Sequence, residues 1–149
     1  MALIEYKKVR LNYEILETLE AGVELFGFEV KALRKKKGSL EGAHVTVRGE
    51  EAYLIGATIP PYQEANTPKE YEPSRNRRLL LTKKEIAYLA GMESQRGLTI
   101  VPLSVYNKKR KLKIEIGIAR GKKKFDKREV IKKRDTKRDV EREVKTRLR

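Results

Sequence analysis

The stretch LTIVPLSVYNKKRKLKIEIGIA, residues 98–119, predicts two antiparallel strands joined by a tight turn. The first strand is expected over Leu98–Tyr106 and the second over Lys111–Ala119, with Asn107–Arg110 as the turn. In the second strand every other residue is apolar: Leu112, Ile114, Ile116 and Ile118. Because successive strand side chains point to opposite faces, this row predicts one face in a core and the other in solvent.

Further strand signals precede this hairpin. Residues 1–12 read as a polar lead-in, and strands are expected on both sides of Gly22, with room for a short helical turn between them. Two more strands are expected over Ala43–Val47 and Ala52–Gly56, joined by the turn residues at Gly49. Together with the hairpin they make about six short antiparallel strands, the pattern of a small barrel.

One helix is predicted with a defined start. Thr82 followed by Glu85 matches a capping box, and apolar residues follow at helical spacing, so a helix is expected over about 83–93. The polar segment Gln63–Arg77 is expected to be a long loop. The resulting prediction is a mainly β fold, an OB-like barrel of about six antiparallel strands with one to three helices.

Charge divides the chain into two parts. The 149 residues carry 36 Lys and Arg against 21 Asp and Glu, a net charge of +15. Residues 121–149 hold 14 cations and 6 carboxylates, so about half of the excess lies in this fifth of the chain. We therefore expect an RNA-binding barrel over residues 1–120 and a basic tail over residues 121–149, disordered when free and helical on a polyanion.

Composition narrows the function classes. A charge of this sign predicts a polyanionic partner, nucleic acid before an acidic membrane, because no apolar run approaches the ~20 residues that span a bilayer. The sequence has no cysteine and one histidine, His44, which excludes disulfides and thiolate metal sites. We expect a cytoplasmic protein without cofactor, metal or enzymatic activity; an RNA-processing enzyme stays open as an alternative.

Basic clusters recur along the chain, and each taken alone is more often a solvated face than a site. Aromatic residues beside them favour nucleic acid, because a ring that stacks on a base contributes roughly 1–3 kcal/mol. The clusters are Lys7-Lys8-Arg10, Lys31–Lys37, Arg75–Arg78, Lys108–Lys111 and the tail, and the aromatics are Tyr6, Tyr62, Tyr71, Tyr106 and Phe125.

The tail opens with GKKKFDKR, residues 121–128. Lys122, Lys123 and Lys124 are expected to approach phosphate, and Phe125 has no apolar neighbour with which to be buried, which favours stacking on a base. Asp126, a favoured N-cap, with Lys127 and Arg128 would begin a helix.

Several short motifs, in a specific order and spacing, extend over nearly the whole chain. They are Tyr13-Glu14-Ile15, Glu20-Ala21-Gly22, Glu29–Arg34, Arg75–Leu81, Glu85-Ile86, Gly97–Leu103, Tyr106, Gly121–Lys123 and Asp126–Arg128. With these motifs the chain resembles the small protein B family, the tmRNA-binding (SsrA-binding) proteins of bacterial trans-translation.

The resemblance implies a function. The barrel would bind the tRNA-like domain of tmRNA, and the complex would be delivered with elongation factor Tu and GTP to stalled ribosomes. The tail would occupy the decoding centre, formed by small-subunit RNA, and the empty mRNA channel, where it becomes helical. The nascent chain would then be tagged and the ribosome released. A ribosomal protein or another translation-associated RNA-binding protein with a basic tail is the alternative.

The resemblance also implies site residues. By motif position, Glu20 and Leu80 match the family's RNA-binding residues, and both are expected on one face. Tyr6 stands where the family usually has an Asn that contacts tmRNA, and a tyrosine there would be expected to stack instead. Phe125 stands where the family often has His or Tyr. The basic residues expected at the RNA surface are Lys7, Lys31, Arg34, Arg75, Arg77 and Arg78, and those of the ribosome-contacting tail are Lys122–Arg128.

Overall fold

The computed structural model describes residues 2–63, 65 and 67–122. This part of the chain forms seven strands and three helices. In chain order they are β1 (Ala2–Glu5), α1 (Val9–Asn12), β2 (Tyr13–Val23), α2 (Gly27–Arg34), β3 (His44–Arg48), β4 (Glu51–Ile55), β5 (Arg77–Leu80), α3 (Lys83–Glu93), β6 (Leu98–Lys108) and β7 (Lys111–Gly121).

The predicted hairpin is the longest pairing in the sheet. β6 and β7 run antiparallel from Leu98↔Arg120 to Lys108↔Lys111. The turn is shorter than predicted, because Asn107 and Lys108 belong to β6 and only two residues remain between the strands. The row Leu112, Ile114, Ile116 and Ile118 is buried as expected, and each such side chain contributes about 1.5–3 kcal/mol relative to an exposed position.

Six strands close into a ring, which confirms the mainly β, OB-like prediction. β7 pairs with β6 and β2, and β2 continues to β5 at Gly22↔Leu80. β5 pairs with β4, β4 with β3, and the bridge Val45↔Ile100 joins β3 to β6. Every pairing is antiparallel, and the seventh strand, β1, lies outside the ring on β6.

The N-terminal half differs from the prediction at two places. Residues 2–12 hold β1 and α1, because Tyr6 and Val9 are buried and tie this segment to the core. β2 is a single strand through Gly22, and α2 replaces a second strand. Gly22 permits the close approach of β5, since an added Cβ would lie 3.1 Å from the Leu80 Cβ on that neighbouring strand.

Helix α3 matches its predicted bounds. The Thr82 hydroxyl accepts the Glu85 N–H at 3.2 Å, and the Glu85 carboxylate accepts the Thr82 N–H at 3.0 Å, which completes the capping box. α3 packs against β3 and β6 with Leu89 fully buried. The helix therefore lies next to the pairing that closes the ring and covers apolar surface there.

Candidate nucleic-acid interface

Glu20 on β2 is held by two side chains from the β6–β7 hairpin. The Tyr106 hydroxyl donates to Glu20 Oε2, and Lys108 Nζ lies 3.1 Å and 3.2 Å from the two carboxylate oxygens. The register of β2 on β7 places Glu20 opposite Glu115 and, two residues on, Gly22 opposite Lys113. Three separate strands thus fix the position of one exposed carboxylate.

These contacts keep Glu20 ionised. Hydrogen bonds from Tyr106 first and Lys108 second lower the pKa of the Glu20 carboxyl. Burial and then the hydrogen bond to Glu20 raise the pKa of Tyr106, so its hydroxyl keeps its proton. Glu20 is therefore an acceptor at neutral pH, with lone pairs to offer to an N–H or O–H donor.

Glu20 and Leu80 line one groove, which confirms that they share a face. The groove has a volume of about 460 Å³ and lies between β2, β7, β5 and the start of α3, a size within the range of small-molecule sites. The Leu80 side chain is 48% exposed. Leu80 therefore presents an apolar surface beside the Glu20 carboxylate.

Carboxylates dominate the charge of this groove. Glu20, Glu50, Glu51 and Glu85 line it with only two cations, Arg78 and Lys113. Arg78 lies 3.6 Å and 3.5 Å from Glu24 and Glu51 carboxylate oxygens, so its charge is partly matched. Such a lining repels phosphate and suits ligand groups that donate hydrogen bonds, such as base amino groups and 2′-hydroxyls.

A second glutamate, Glu29 on α2, lies fully buried at the centre of an ion cluster. Its carboxylate accepts from Arg75 at 2.5 Å, from Arg77 at 2.6 Å and from the Tyr71 hydroxyl at 2.8 Å. It also accepts the Phe26 N–H at 2.8 Å. Burial raises the pKa of Glu29, but these hydrogen bonds outweigh it and the pKa is lowered overall.

The surroundings of Arg77 contradict the expectation that this residue contacts RNA. Its side chain is fully buried, and besides Glu29 it donates to the carbonyls of Ala57, Pro73 and Arg75 at 2.9–3.0 Å. These donations hold the β4–β5 connection against the ring, so the guanidinium is not available to a phosphate.

Arg75 is also engaged by the protein. Its guanidinium carbon lies 4.2 Å from the centre of the Phe26 ring, and its ion pair with Glu29 leaves 24% of the side chain exposed. Sequence reasoning missed Tyr71 and Glu29 as structural partners. The signal for a buried arginine is the strand alternation of β5, where Arg77 shares the inward face with Leu79.

The other predicted RNA contacts have different surroundings. Tyr6 is buried, with 9% of its surface exposed. Because its ring packs in the core, the expectation that it stacks on a base is wrong. Lys7 is exposed in a depression between the N-terminal segment and Ser39. Lys31 Nζ lies 6.0 Å from the Tyr62 ring centre, and Arg34 Nη2 donates to the Arg110 carbonyl at 3.2 Å.

The start of the tail is attached to α1. β7 ends at Gly121, the Lys122 N–H donates to the Asn12 carbonyl, and Lys122 Nζ donates to the Arg10 carbonyl, both at 2.8 Å. Lys122 thus contacts the protein body. The remaining predicted tail residues lie outside the described residues: Lys123, Lys124, Phe125, Asp126, Lys127 and Arg128.

The described residues contain neither a metal-binding cluster nor a helix able to span a membrane. No group of three or more His, Cys, Asp or Glu in residues 2–63, 65 and 67–122 converges on a position where a metal ion would fit. Within the same residues, no helix has the length and apolar character needed to cross a membrane. His44, on β3, is exposed.

Comparison with known proteins identifies the family. The family described as "SmpB protein" matches residues 3–146. The chain belongs to the SmpB family. An SsrA-binding protein of Elusimicrobium minutum is 50% identical over 96% of this chain and 90% of its own length. One from Trichodesmium erythraeum is 48% identical over 93% of this chain and 89% of its own length.

A solved structure supports the fold assignment of this SmpB-family chain. In "tmRNA-SmpB: a journey to the center of the bacterial ribosome", one chain is 43% identical and superposes with a TM-score of 0.68. The match covers 81% of this chain and 85% of that one. The family resemblance predicted from the motifs is therefore confirmed.

Proposed function

We propose that this chain is an RNA-binding factor of trans-translation that binds the tRNA-like domain of tmRNA. The observation that carries the proposal is the meeting of Glu20 and Leu80 in one groove, in a chain of the SmpB family. Relatives at about half identity are SsrA-binding proteins, and a structural neighbour is described with tmRNA and the bacterial ribosome.

The chemistry of the groove favours an unpaired part of the RNA. The ionised Glu20 accepts from a base amino group or a 2′-hydroxyl, and the exposed Leu80 contacts the face of the same or the next base. Both groups are available where bases are unstacked, in loops and at ends. Lys7, Lys31 and Arg34 then contribute the salt-dependent attraction to phosphates. Arg75 and Arg78 contribute less, because ion pairs with glutamates partly match their charges.

The tail supplies the second part of the proposal. Delivered with elongation factor Tu and GTP, the complex would place residues after Lys122 at the decoding centre and in the empty mRNA channel. Lys123, Lys124, Lys127 and Arg128 would contact phosphates of small-subunit RNA, Phe125 would stack on a base, and Asp126 would cap a helix. The same function implies a cytoplasmic protein without catalytic residues.

Truncation separates the two parts. A chain that ends at Lys122 keeps the hydrogen bonds of Lys122 to α1, so its fold should be intact. We expect its tmRNA affinity to stay within a few fold of the full chain, while tagging of nascent chains on stalled ribosomes is lost. A collapse of tmRNA affinity would contradict this division.

A salt wash separates the proposal from its alternative. Ribosomes purified with the bound protein are washed at high salt, and a rescue factor should leave them together with its RNA. Retention through the wash would identify a ribosomal protein instead.

A further inference from the structure

The turn between β6 and β7 combines backbone strain with unusual side chains. Lys109 and Arg110, its two central residues, both have positive φ, 50° and 69°. A two-residue turn of this kind is favoured by Asn-Gly, because most L-residues are strained at positive φ. The chain places two long cations there, although Asn and Gly would close the same turn at lower energy.

The charges at this turn have no matching carboxylates. Lys109, Arg110 and Lys111 are exposed and form no ion pair with any other residue in the described part of the chain. Arg34 adds a fourth cation, because its guanidinium donates to the Arg110 carbonyl at 3.2 Å. We call these four residues, Arg34, Lys109, Arg110 and Lys111, the basic turn.

Lys108 provides a contrast one residue away. Its ammonium lies 3.1 Å from the Glu20 carboxylate, so its charge is matched within the protein. Because Lys108 joins Glu20 to the first residue of the basic turn, the groove and the basic turn are neighbours.

We propose that the basic turn is a second RNA contact, which binds backbone phosphates next to the groove. It contains no aromatic ring for stacking and its four side chains are all cations, so we expect its contacts to be chiefly with phosphates, which carry no sequence information. Like charges held together by a strained backbone are stabilised once a polyanion lies between them. The inference rests on the proposed function only in that the chain binds RNA.

One double substitution separates binding from folding. Lys109→Asn with Arg110→Gly removes two charges and installs the pair preferred at positive φ. We expect the midpoint of thermal unfolding to stay or rise while tmRNA binding weakens. The plot of log K against log salt should become shallower by about two, one unit for each lost phosphate contact. A 16-base-pair RNA duplex is the second probe.

The matched control removes two charges elsewhere. Arg48→Gln with Arg96→Gln changes exposed arginines outside the groove and the basic turn, so the salt slope should stay that of the unmodified chain. Equal slopes for both double variants would overturn the inference, because the effect would then be one of net charge. If the Asn-Gly variant unfolds early, Lys109→Gln with Arg110→Gln supplies the same comparison.

Two further results distinguish failure of this inference from failure of the proposed function. If the unmodified chain binds tmRNA and the turn substitutions leave the salt slope unchanged, only the second contact is overturned. Unmodified chain that does not bind tmRNA overturns the proposed function. The turn substitutions could also weaken binding to anionic lipid vesicles more than binding to the RNA duplex. That result would assign the basic turn to a membrane surface and overturn the inference.

Discussion

Two glutamates in this molecule have the same kinds of partner and opposite surroundings. Glu29 is buried and accepts from Tyr71, Arg75 and Arg77, whereas Glu20 is exposed and accepts from Tyr106 and Lys108. In both cases hydrogen bonds lower the pKa of the carboxyl. Protein donors occupy the hydrogen-bonding positions of the buried Glu29 carboxylate, whereas the exposed Glu20 carboxylate keeps lone pairs that face the groove.

The contrast implies a division of labour. Removing a partner inside the Glu29 cluster leaves a buried charge without its counter-charge. We therefore expect a large change in the free energy of unfolding and a small change in RNA binding. Removing a partner at Glu20 leaves water to replace it, so folding should change little and RNA binding most. Four measurements test this division, starting with the largest expected effect.

Arg77→Met should destabilise the fold by about 3–5 kcal/mol, because Glu29 loses a buried partner and three carbonyls lose a donor. Urea unfolding measures the change. The adjacent Arg78→Met is the matched control, since Arg78 is half-exposed and its two ion pairs are 3.5 Å or longer; it should cost no more than about 0.5 kcal/mol. Equal losses in both variants would show that burial of Arg77 is not what matters.

Glu20→Gln should weaken tmRNA binding roughly tenfold to a hundredfold, the range for loss of a hydrogen bond to a charged group. Its urea midpoint should match that of the unmodified chain. Filter binding or fluorescence anisotropy gives the affinity. If binding is unchanged, the groove is not the site where RNA donors are accepted.

A pair of tyrosine substitutions compares the two glutamates directly, because each removes one hydroxyl donor. Tyr71→Phe should lower the free energy of unfolding by about 1 kcal/mol with tmRNA affinity retained. Tyr106→Phe should lower tmRNA affinity about fivefold, since Glu20 loses a group that positions it. Exchanged effects, stability lost with Tyr106 and affinity lost with Tyr71, would reverse the division.

The smallest effect is expected from pH near neutrality. Both carboxyls have lowered pKa values in the folded chain, so their contribution to stability is complete above the ordinary value of 4.5 and is lost as pH falls through the lowered values. On the alkaline side, the pKa of Tyr71 is raised to about 12, and its contribution is lost as pH rises from 10 toward that value.

Urea midpoints measured from pH 8 to pH 2 check the acid limb. Stability should be flat to about pH 5 and then fall, and the fall should be shallower in Glu29→Gln, which no longer titrates at the cluster. A fall that begins near pH 7 would require another group.

Local signals predicted those parts of the fold that depend on neighbours in sequence. The β6–β7 hairpin follows from alternation, and α3 follows from Thr82 and Glu85, three residues apart in one capping box. Helix α2 was not predicted, because apolar residues are as frequent over 23–30 as in a buried strand. They include Val23, Leu25, Phe28 and Val30. The charge of the buried Glu29 of α2 is matched by Arg75 and Arg77, more than forty residues away in the sequence.

The candidate site was predictable in part for the same reason. Family motifs indicated Glu20 and Leu80, whereas Tyr106 and Lys108 become partners of Glu20 only through the registers of β2, β7 and β6. The three arginines of Arg75–Arg78 look equivalent in sequence, yet strand alternation sends Arg77 inward and Arg78 outward. Charge alone does not distinguish a core arginine from a surface one.

The two hydrogen bonds of Lys122 to α1 have a mechanical consequence. The position of Lys122 is fixed by Arg10 and Asn12, residues that are more than a hundred positions earlier in the sequence. An insertion that displaces Arg10–Asn12 would therefore release Lys122 from α1 while leaving the groove, which these residues do not line, unchanged.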